Sequence, residues 1–402
     1  MKVLHVITES NLGGAQLNTL LTVRGLVQHG YEVHLACGPE GPGESLALAR
    51  EAARSGVTVH VVNSLVRPIG PLRDLPAFAA IARLMAREEF DIVHTHSFKG
   101  GLIGRLAAWL MGVPRIVHTF HGVPFNTSTP CARTRLCFFI ERIMCLFCHQ
   151  LVSVGATLRD ELIAHRVARP DKIQTIHSGV DFSMLAPYLH EKVERPFDGL
   201  PPDARVVGFV GRLSRQKAPD VLLEAFEIVK HEAPDAHLVL VGEGPMRADL
   251  ENAASRKVLS DSVHLLGERP DVPRLLASMT LFALPSRWEG VGRALTEAMY
   301  MKLPVVATGV NGSSELVIDG STALIARVDD PADLAGKILA LLNDPARAAT
   351  LGEAAHRKVR EMMSAEAMVR DTILLYEKLT SGSLHETTQG ERRVRHLWQT
   401  EP

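Results

Sequence analysis

Short apolar runs alternate with helix-forming segments through the first half of the chain. Runs of four to six residues have the length and composition of buried strands, and they lie at residues 3–7, 32–36, 57–62, 91–96, 115–118 and 151–154. Segments with helical spacing of apolar residues separate them, at residues 17–29, 75–87 and 101–111. This alternation predicts a doubly wound α/β domain with a parallel sheet.

The second half of the chain repeats the pattern. Strands are predicted at residues 206–210, 237–241, 263–267, 281–284 and 303–308, and helices at 221–231, 331–342, 345–359 and 365–379. Residues 183–203, between the halves, are rich in proline and charge, which indicates a linker. We therefore expect one domain at residues 1–182 and another at 204–364, with a polar, unperiodic and disordered tail at 381–402.

Composition narrows the choice of partners. A length of 402 residues with 46% hydrophobic content is enough for two or three domains with cores of their own. The net charge of −1 supplies no basic field for nucleic acid, so small molecules are the expected partners. The first apolar run is too short for a signal peptide, and no run reaches the 18 residues typical of a membrane span, so we expect a cytoplasmic protein.

Four of the five cysteines fall within one short apolar segment, residues 131–148. This distribution is not a disulfide framework and indicates a reducing compartment. Cys145 and Cys148 have the spacing of half a zinc site, but no second pair accompanies them. We expect these thiols to pack in the core and to bind no metal.

Residues 285–299 bring two carboxylates and a glycine turn to the start of a predicted helix, directly after the strand at 281–284. Free backbone N–H groups and the helix dipole favour an anion such as phosphate at this position. Glu289 precedes the helix and Glu297 lies within it, and eight residues at helical rise span about 12 Å. Taken alone, the two glutamates also fit a solvated helix face. In an anion site they would accept hydrogen bonds from ligand hydroxyls.

Two cations follow the strand at 206–210. Arg212 and Lys217 lie five residues apart in the turn that leads into the helix at 221–231. A strand, a cationic turn and a helix start together indicate a clamp for a diphosphate.

In this order along the chain, the motifs resemble glycosyltransferase family 4, the retaining enzymes of the GT-B fold. The resemblance extends from residue 1 to about residue 379 and rests on Gly13-Gly14, His121, Arg212, Lys217, Gly242, Glu289 and Glu297. It implies two Rossmann-like doubly wound domains that face each other across a cleft. It also implies that the helix at 365–379 returns to close the first domain.

The resemblance implies roles for single residues. Arg212 and Lys217 would bind the donor phosphates and stabilise the leaving group. Glu289 would accept hydrogen bonds from the transferred sugar, Glu297 would accept them from the ribose, and His121 would act beside the donor sugar.

The remaining contacts implied by the resemblance belong mostly to glycine turns. Further donor-binding positions are Gly14, Gly242, Gly290, Val291 and Gly292. Gly13 and Lys99 would lie on the acceptor side, although a solvated lysine is the alternative for Lys99.

Histidines end two neighbouring predicted strands, in His94-Thr95-His96 and in His118-Thr119-Phe120-His121. All four could gather at the carboxyl edge of the sheet, where α/β folds bind ligands. A metal site is one interpretation, because His-x-His is a ligand spacing, although no acidic partner accompanies it. By resemblance to the family, His121 alone would lie at the donor sugar.

A predicted helix at residues 134–150 carries apolar side chains on one side and arginines nearby. The apolar residues are Leu136, Phe139, Ile140, Ile143 and Phe147, and the arginines are Arg133, Arg135 and Arg142. One interpretation is a core face with a rim of arginines. The other is peripheral contact with the inner face of the plasma membrane, since many family relatives use lipid-linked acceptors.

The resemblance implies a retaining glycosyltransferase that moves a hexose-type sugar from a nucleoside-diphosphate sugar to a hydroxyl of a saccharide or lipid-linked acceptor. Cell-surface polysaccharide or glycolipid synthesis would use such a reaction. We expect no cofactor and no metal, because the chain has no Asp-x-Asp motif and cationic side chains would take the place of a divalent ion. The alternatives are a GT-B sugar-nucleotide epimerase and a catalytically silent subunit that binds nucleotide sugars.

Overall fold

The computed structural model describes residues 1–10, 14–39, 46–66, 68, 70–122, 131–189, 197, 200–201, 203–256, 259–289, 292–310 and 314–381. The chain forms two compact units. Val180–Ser364 forms the second unit, and Met1–Gly179 forms the first together with the chain from Ala365 on. The tail predicted at residues 381–402 lies outside the described residues, except for Ser381.

The first unit is built on a seven-stranded sheet. Its strands are β1 (Lys2–Ile7), β2 (Glu32–Cys37), β3 (Thr58–Val61), β4 (Ile92–His96), β5 (Arg115–Phe120), β6 (Gln150–Ser153) and β7 (Ile173–Thr175). The order across the sheet is β3-β2-β1-β4-β5-β6-β7, and every pairing is parallel. Strands β1 and β4 are neighbours, so the order reverses at this point, as it does in a Rossmann fold.

The second unit repeats this topology with six strands. They are β8 (Arg205–Val210), β9 (Ala236–Val241), β10 (Val263–Gly267), β11 (Leu281–Leu284), β12 (Val305–Thr308) and β13 (Leu324–Ala326). Their order is β10-β9-β8-β11-β12-β13, again wholly parallel. The predicted α/β class with two Rossmann-like domains is confirmed.

Helices cover both sheets. Those of the first unit are α1 (Gly14–Gln28), α2 (Ala47–Arg54), α3 (Pro71–Glu88), α4 (Phe98–Leu110), α5 (Cys131–Met144) and α6 (Ala156–Ala164). The second unit contributes α7 (Pro219–Glu232), α8 (Arg247–Arg256), α9 (Val272–Ala277), α10 (Arg293–Tyr300), α11 (Pro331–Leu342) and α12 (Pro345–Met363). The last helix, α13 (Ala365–Ser381), belongs to the first unit.

The helix α13 packs closely on α1. A Cβ atom placed on Gly25 of α1 would lie 2.3 Å from a methyl group of Val369, so only glycine permits this approach. Leu375 and Tyr376 of α13 join the core under the sheet, and Tyr376 is fully buried. The C-terminal helix is therefore an integral layer of the first unit.

The division between the units falls at Gly179 and Val180, three residues before the predicted boundary at 182. The described part of the predicted linker also contributes to a core. Leu185 and Phe197 are buried in the hydrophobic cluster of the second unit, as is Phe182 directly before the segment. The segment predicted as a linker therefore belongs to the second unit, and the boundary lies before it.

Candidate functional site

An ion pair joins two of the predicted ligand turns in the second unit. Nζ of Lys217, which precedes α7, contacts Oε1 of Glu289, which follows β11. The hydroxyl of Ser286 donates to the same carboxylate oxygen at 2.6 Å. The Glu289 side chain is only 4% exposed and that of Lys217 is 19% exposed. The carboxylate is therefore held in one place by two donors.

Arg287 fastens the same two turns to each other. Its Nη2 lies 2.9 Å from Asp220 and its Nε lies 2.6 Å from Asp329. It also donates from Nη1 to the carbonyl of Arg215 at 2.8 Å, and its backbone N–H donates to the carbonyl of Gln216 at 2.8 Å. Hydrogen bonding to Asp220 raises the pKa of Arg287 above its ordinary value. The guanidinium thus fixes the clamp turn, the segment that carries Arg212 and Lys217, relative to Glu289.

Arg212, the other predicted cation, is exposed and has no side-chain partner among the described residues. It lies between Gly211 and Leu213, against which the turn after β9 packs. A Cβ on Gly242 would lie 2.1 Å from the carbonyl oxygen of Gly211, and the N–H of Leu213 donates to Glu243 at 2.9 Å. Gly242 therefore supports the cationic turn, and its predicted donor contact stays a prediction.

The second glutamate lies on α10. Nε of Arg293 lies 2.8 Å from Oε1 of Glu297, one helical turn away, and the Glu297 side chain is largely buried. Gly292 precedes the helix with a φ of 68°, a left-handed conformation that favours glycine. Gly290 and Val291 lie outside the described residues.

The predictions for Gly14 on the donor side and for Gly13 and Lys99 on the acceptor side have different outcomes. Gly14 is the exposed first residue of α1, whereas Gly13 lies outside the described residues. Lys99 is buried, with Nζ 2.5 Å from Asp74 and donating to the carbonyl of Pro68. The alternative of a solvated lysine is wrong, because this ion pair holds the side chain against α3. A role of Lys99 at the acceptor stays a prediction.

Four histidines of the first unit form one cluster. His5 lies in β1, His94 and His96 in β4, and His121 directly after β5. Nδ1 of His5 lies 2.9 Å from Nε2 of His96, and Nδ1 of His96 lies 3.0 Å from Nε2 of His121. The rings of His94 and His96 stack with 4.5 Å between their centres. Three of the predicted histidines thus meet, and His5 joins them.

His118 is not in this cluster, contrary to the prediction that all four histidines could gather. Successive strand residues point to opposite faces of a sheet, so His118 and His121 lie on different faces. Nδ1 of His118 lies 2.9 Å from the hydroxyl of Thr95, on the opposite face from His94 and His96.

The clustered histidines are neutral at pH 7. Burial lowers the pKa of His5 to about 3 and that of His121 to about 4. Burial, with repulsion from the neighbouring histidines, also lowers the pKa values of His94 and His96 well below the ordinary range. Ring nitrogens of His5, His94 and His96 lie within 4.8 Å of one another, close enough to hold a metal. Hydrogen bonds already occupy both ring nitrogens of His96.

Two strained residues occur in these turns. Ser97, directly after His96, has φ 64° and ψ 164°, a region that residues other than glycine rarely adopt. Ala218, directly after Lys217, has φ 51° and ψ 46° and is fully buried. In each case the strained residue adjoins a residue of a predicted ligand turn, which fits a site whose geometry is fixed by the fold around it.

The helix α5 turns apolar side chains outward. Leu136 is 57% exposed and Phe139 56%, and Ile143 is also exposed. The interpretation of these residues as a core face is wrong, because Glu141 and Met144 occupy the buried side. Arg133 lies among residues whose side chains are not described, and Arg135 and Arg142 are exposed. Among the helices in the described part of the chain, none has the length and apolarity to cross a bilayer.

Several residues that shape the site were missed in the sequence. Ser286 lies within residues 285–299, but its bond to Glu289 depends on the fold of the turn. Asp220, at the start of α7, carries no local sign that it binds Arg287. His5 did carry a signal, since a histidine in a predicted buried strand requires a partner.

Comparison with known proteins finds two family matches. Residues 12–183 match the family described as Glycosyltransferase Family 4, and residues 191–358 match Glycosyl transferases group 1. The chain is 32% identical to the UDP-Gal:alpha-D-GlcNAc-diphosphoundecaprenol alpha-1,3-galactosyltransferase of Escherichia coli, over 82% of this chain and 85% of the relative. It is 29% identical to D-inositol 3-phosphate glycosyltransferase 1 of Catenulispora acidiphila, over 84% of both chains.

Solved structures share the architecture. HepE of Anabaena, in complex with UDP, superposes with a TM-score of 0.77 at 20% identity, over 95% of this chain and 100% of that one. Sucrose-phosphate synthase of Thermosynechococcus elongatus gives a TM-score of 0.73 at 20% identity, over 95% of this chain and 99% of that one. At these identities the likeness concerns the fold.

Proposed function

Because this chain belongs to glycosyltransferase family 4, we propose that it is a retaining enzyme that moves a hexose from a nucleoside-diphosphate sugar to an acceptor hydroxyl. That the chain is a glycosyltransferase of the GT-B fold follows from its family matches and structural neighbours. What we add as a proposal is that the reaction retains the anomeric configuration and that the transferred sugar is a hexose.

The observation that carries the proposal is the arrangement of Arg212, Lys217 and Glu289 in the second unit. Glu289 neutralises the ammonium of Lys217 yet occupies only one of its three N–H donors. Arg212 is an exposed cation without a side-chain partner among the described residues. A diphosphate could therefore take hydrogen bonds from Lys217 and charge compensation from Arg212, while a sugar hydroxyl binds Glu289.

In this proposal the chemistry is electrostatic. Cleavage of the glycosyl–phosphate bond leaves negative charge on the departing diphosphate, and fixed cations lower the barrier by stabilising that charge. The proposal assigns this task to Arg212 and Lys217 rather than to a divalent ion. Transfer rates unchanged by EDTA are then expected.

The donor and acceptor classes are proposed from the relatives. The named galactosyltransferase uses UDP-galactose and a diphosphoundecaprenol-linked sugar, and HepE was solved with UDP. We therefore assign a uridine-diphosphate hexose as donor and a lipid-linked saccharide as acceptor. Mass spectrometry of products from a panel of UDP-sugars with a lipid extract would show a single added hexose.

The two glutamates give a test of the donor geometry. Glu297→Gln is expected to weaken binding of free UDP by roughly 10-fold or more, because a charged acceptor for the ribose is lost. Glu289→Gln should leave UDP binding unchanged or slightly tighter, since it frees the charge of Lys217. Its transfer rate should fall, because the missing contact forms only when a sugar is attached. Calorimetry with UDP and transfer rates measure both effects.

Glu251→Gln is the matched control, because Glu251 is also paired with an arginine one helical turn away, Arg247. This variant should change neither the affinity for UDP nor the transfer rate. Equal losses of UDP affinity in the Glu289 and Glu297 variants would contradict this division of roles. No loss in any assay would show that neither residue contacts the donor.

The exposed apolar face of α5 supports a peripheral membrane contact as part of the proposed function. Next to Leu136, Phe139 and Ile143, the short helix that follows α5 exposes 76% of Leu146, and α4 exposes 55% of Trp109. Large apolar side chains that cluster on a surface mark an interaction site. A lipid surface is the proposed partner, because the assigned acceptor is lipid-linked and exposed arginines accompany the face.

Liposome flotation tests this contact. Wild-type protein should float with vesicles that contain anionic lipid, and Leu136→Glu with Phe139→Glu should reduce the floated fraction several-fold, because carboxylates do not enter the acyl boundary. The matched control is Leu72→Glu with Leu75→Glu, which changes two exposed leucines of α3. Equal flotation of both double variants would rule out α5 as the contact.

A further inference from the structure

A chain of hydrogen bonds links α13 to the candidate catalytic histidine within the first unit. The hydroxyl of Tyr376 lies 3.4 Å from Nε2 of His5. Nδ1 of His5 lies 2.9 Å from Nε2 of His96, and Nδ1 of His96 lies 3.0 Å from Nε2 of His121. Both ring nitrogens of His5 and His96 are used in this chain, whereas Nδ1 of His121 is not.

In such a chain, the nitrogen that carries the proton on one imidazole ring determines which nitrogen carries it on every other ring. A neutral imidazole has one N–H donor and one bare nitrogen that accepts. If His5 donates from Nε2, its Nδ1 must accept from His96, and Nδ1 of His96 must accept from His121. If His5 donates from Nδ1, every bond reverses. His121 therefore carries its proton on Nε2 in one case and on Nδ1 in the other.

A second contact of Tyr376 sets the direction. Its hydroxyl lies 2.6 Å from Nδ1 of His94, and Nε2 of His94 lies 2.7 Å from the hydroxyl of Thr119. A phenol hydroxyl is a stronger donor than acceptor, and Nδ1 of His94 is the nearer of its two imidazole partners, at 2.6 Å against 3.4 Å for Nε2 of His5. Tyr376 therefore donates to His94. Its oxygen is left to accept from Nε2 of His5.

We propose that Tyr376, His5 and His96 are positioning residues that hold His121 as the tautomer with its proton on Nε2, so that the bare Nδ1 accepts a hydrogen bond from a ligand hydroxyl. The inference rests on the proposed function and on the family resemblance, which implies that His121 lies at the donor sugar. It adds the chemical group that His121 recognises.

The tautomer has a consequence for specificity. A bare, neutral nitrogen accepts from a hydroxyl but offers nothing to a phosphate oxygen, which itself only accepts. Because burial keeps the pKa of His121 at about 4, protonation near neutral pH does not change this. His121 would thus select a sugar hydroxyl and contribute nothing to binding of the diphosphate.

Nitrogen NMR on protein labelled with 15N-histidine reads the tautomer directly, because protonated and bare ring nitrogens differ widely in chemical shift. His121→Asn assigns the resonances. In the wild type, the expected result is a protonated Nε2 and a bare Nδ1 on His121. Tyr376→Phe keeps the ring but removes the acceptor for His5, so His5 should donate from Nδ1 and the order should reverse. His121 would then carry its proton on Nδ1.

Tyr31→Phe is the matched control, because the ring of Tyr31 lies 6.3 Å from that of Tyr376 but has no part in the hydrogen-bond chain. It should leave the His121 spectrum unchanged.

Tyr376→Phe should also raise KM for the sugar donor roughly tenfold while free UDP binds as in wild type, since the lost contact involves only the sugar.

Three results would overturn the inference. These are a protonated Nδ1 on wild-type His121, an unchanged His121 tautomer in Tyr376→Phe, and histidine resonances that shift on addition of EDTA, which would make the cluster a metal site. None depends on transfer activity. A protein with the expected spectrum but no glycosyl transfer would contradict the proposed function and leave the tautomer assignment intact.

Discussion

Lys217→Ala and Arg212→Ala are each expected to lower turnover by roughly a hundredfold or more, because fixed cations act on charge that develops only as the diphosphate leaves. Their stabilities should differ. Removal of Lys217 leaves the carboxylate of Glu289, which is only 4% exposed, without a counter-charge from that side chain, and Ser286 is then its remaining side-chain donor among the described residues. We expect a loss of about 1–3 kcal/mol in the free energy of unfolding for Lys217→Ala. Arg212 is exposed, so its removal should cost almost nothing.

Urea denaturation and steady-state rates on the same preparations test this difference. Arg215→Ala is the matched control, because Arg215 is an exposed cation of the same turn whose backbone carbonyl, not its side chain, binds Arg287. It should match wild type in both assays. Turnover within tenfold of wild type for folded Lys217→Ala and Arg212→Ala would disprove the clamp.

Much of the fold was predictable because local patterns determine it. Apolar runs separated by amphipathic segments require a covered parallel sheet, and glycine turns after strands mark where its carboxyl edge lies. The clamp turn and the Glu289 turn were therefore located correctly relative to their strands. That Lys217 and Glu289 touch was not predictable, since 72 residues separate them and the strand order β8-β11 brings them together.

The histidines show the same limit of local reasoning. The spacing of His94 and His96 placed them on one face of β4, but the partner from β1 depends on the register that sets His5 beside His94. Tyr376 comes from a helix 282 residues further along the chain than His94. Period-two alternation also excludes His118 from this face. The number of histidines at the strand ends does not tell which of them share one face of the sheet.

Of the two interpretations of α5, the core face was wrong because the buried side of the helix carries an ion pair. Arg105 of α4 is fully buried and its Nη2 lies 2.8 Å from Glu141 of α5, whose side chain is only 5% exposed. The core-face interpretation placed the apolar residues inside, and the sequence pattern gave no sign that Glu141 is buried. The ion pair reverses this arrangement, and the apolar side chains Leu136 and Phe139 are left outside.

Breaking that pair should be the most destabilising of these changes. Glu141→Ala leaves the guanidinium of Arg105 buried without a counter-charge, and its Nη1 already lacks a hydrogen-bond partner among the described residues. We expect a loss of about 3–5 kcal/mol in the free energy of unfolding. Burial raises the pKa of Glu141 even beside Arg105, so the pair does not fully offset the cost of desolvation.

Replacing both partners should therefore recover most of the loss, since a well-packed apolar pair removes two buried charges at once. The comparison is Glu141→Ala against Arg105→Met with Glu141→Leu, measured by urea denaturation. Glu366→Ala, which changes a residue in the first turn of α13, is the control for loss of a glutamate outside this pair. If Glu141→Ala unfolds like wild type, the ion pair does not hold α5 against α4. If the double variant is no more stable than Glu141→Ala, the site needs the charges themselves, and the outward apolar face of α5 depends on them.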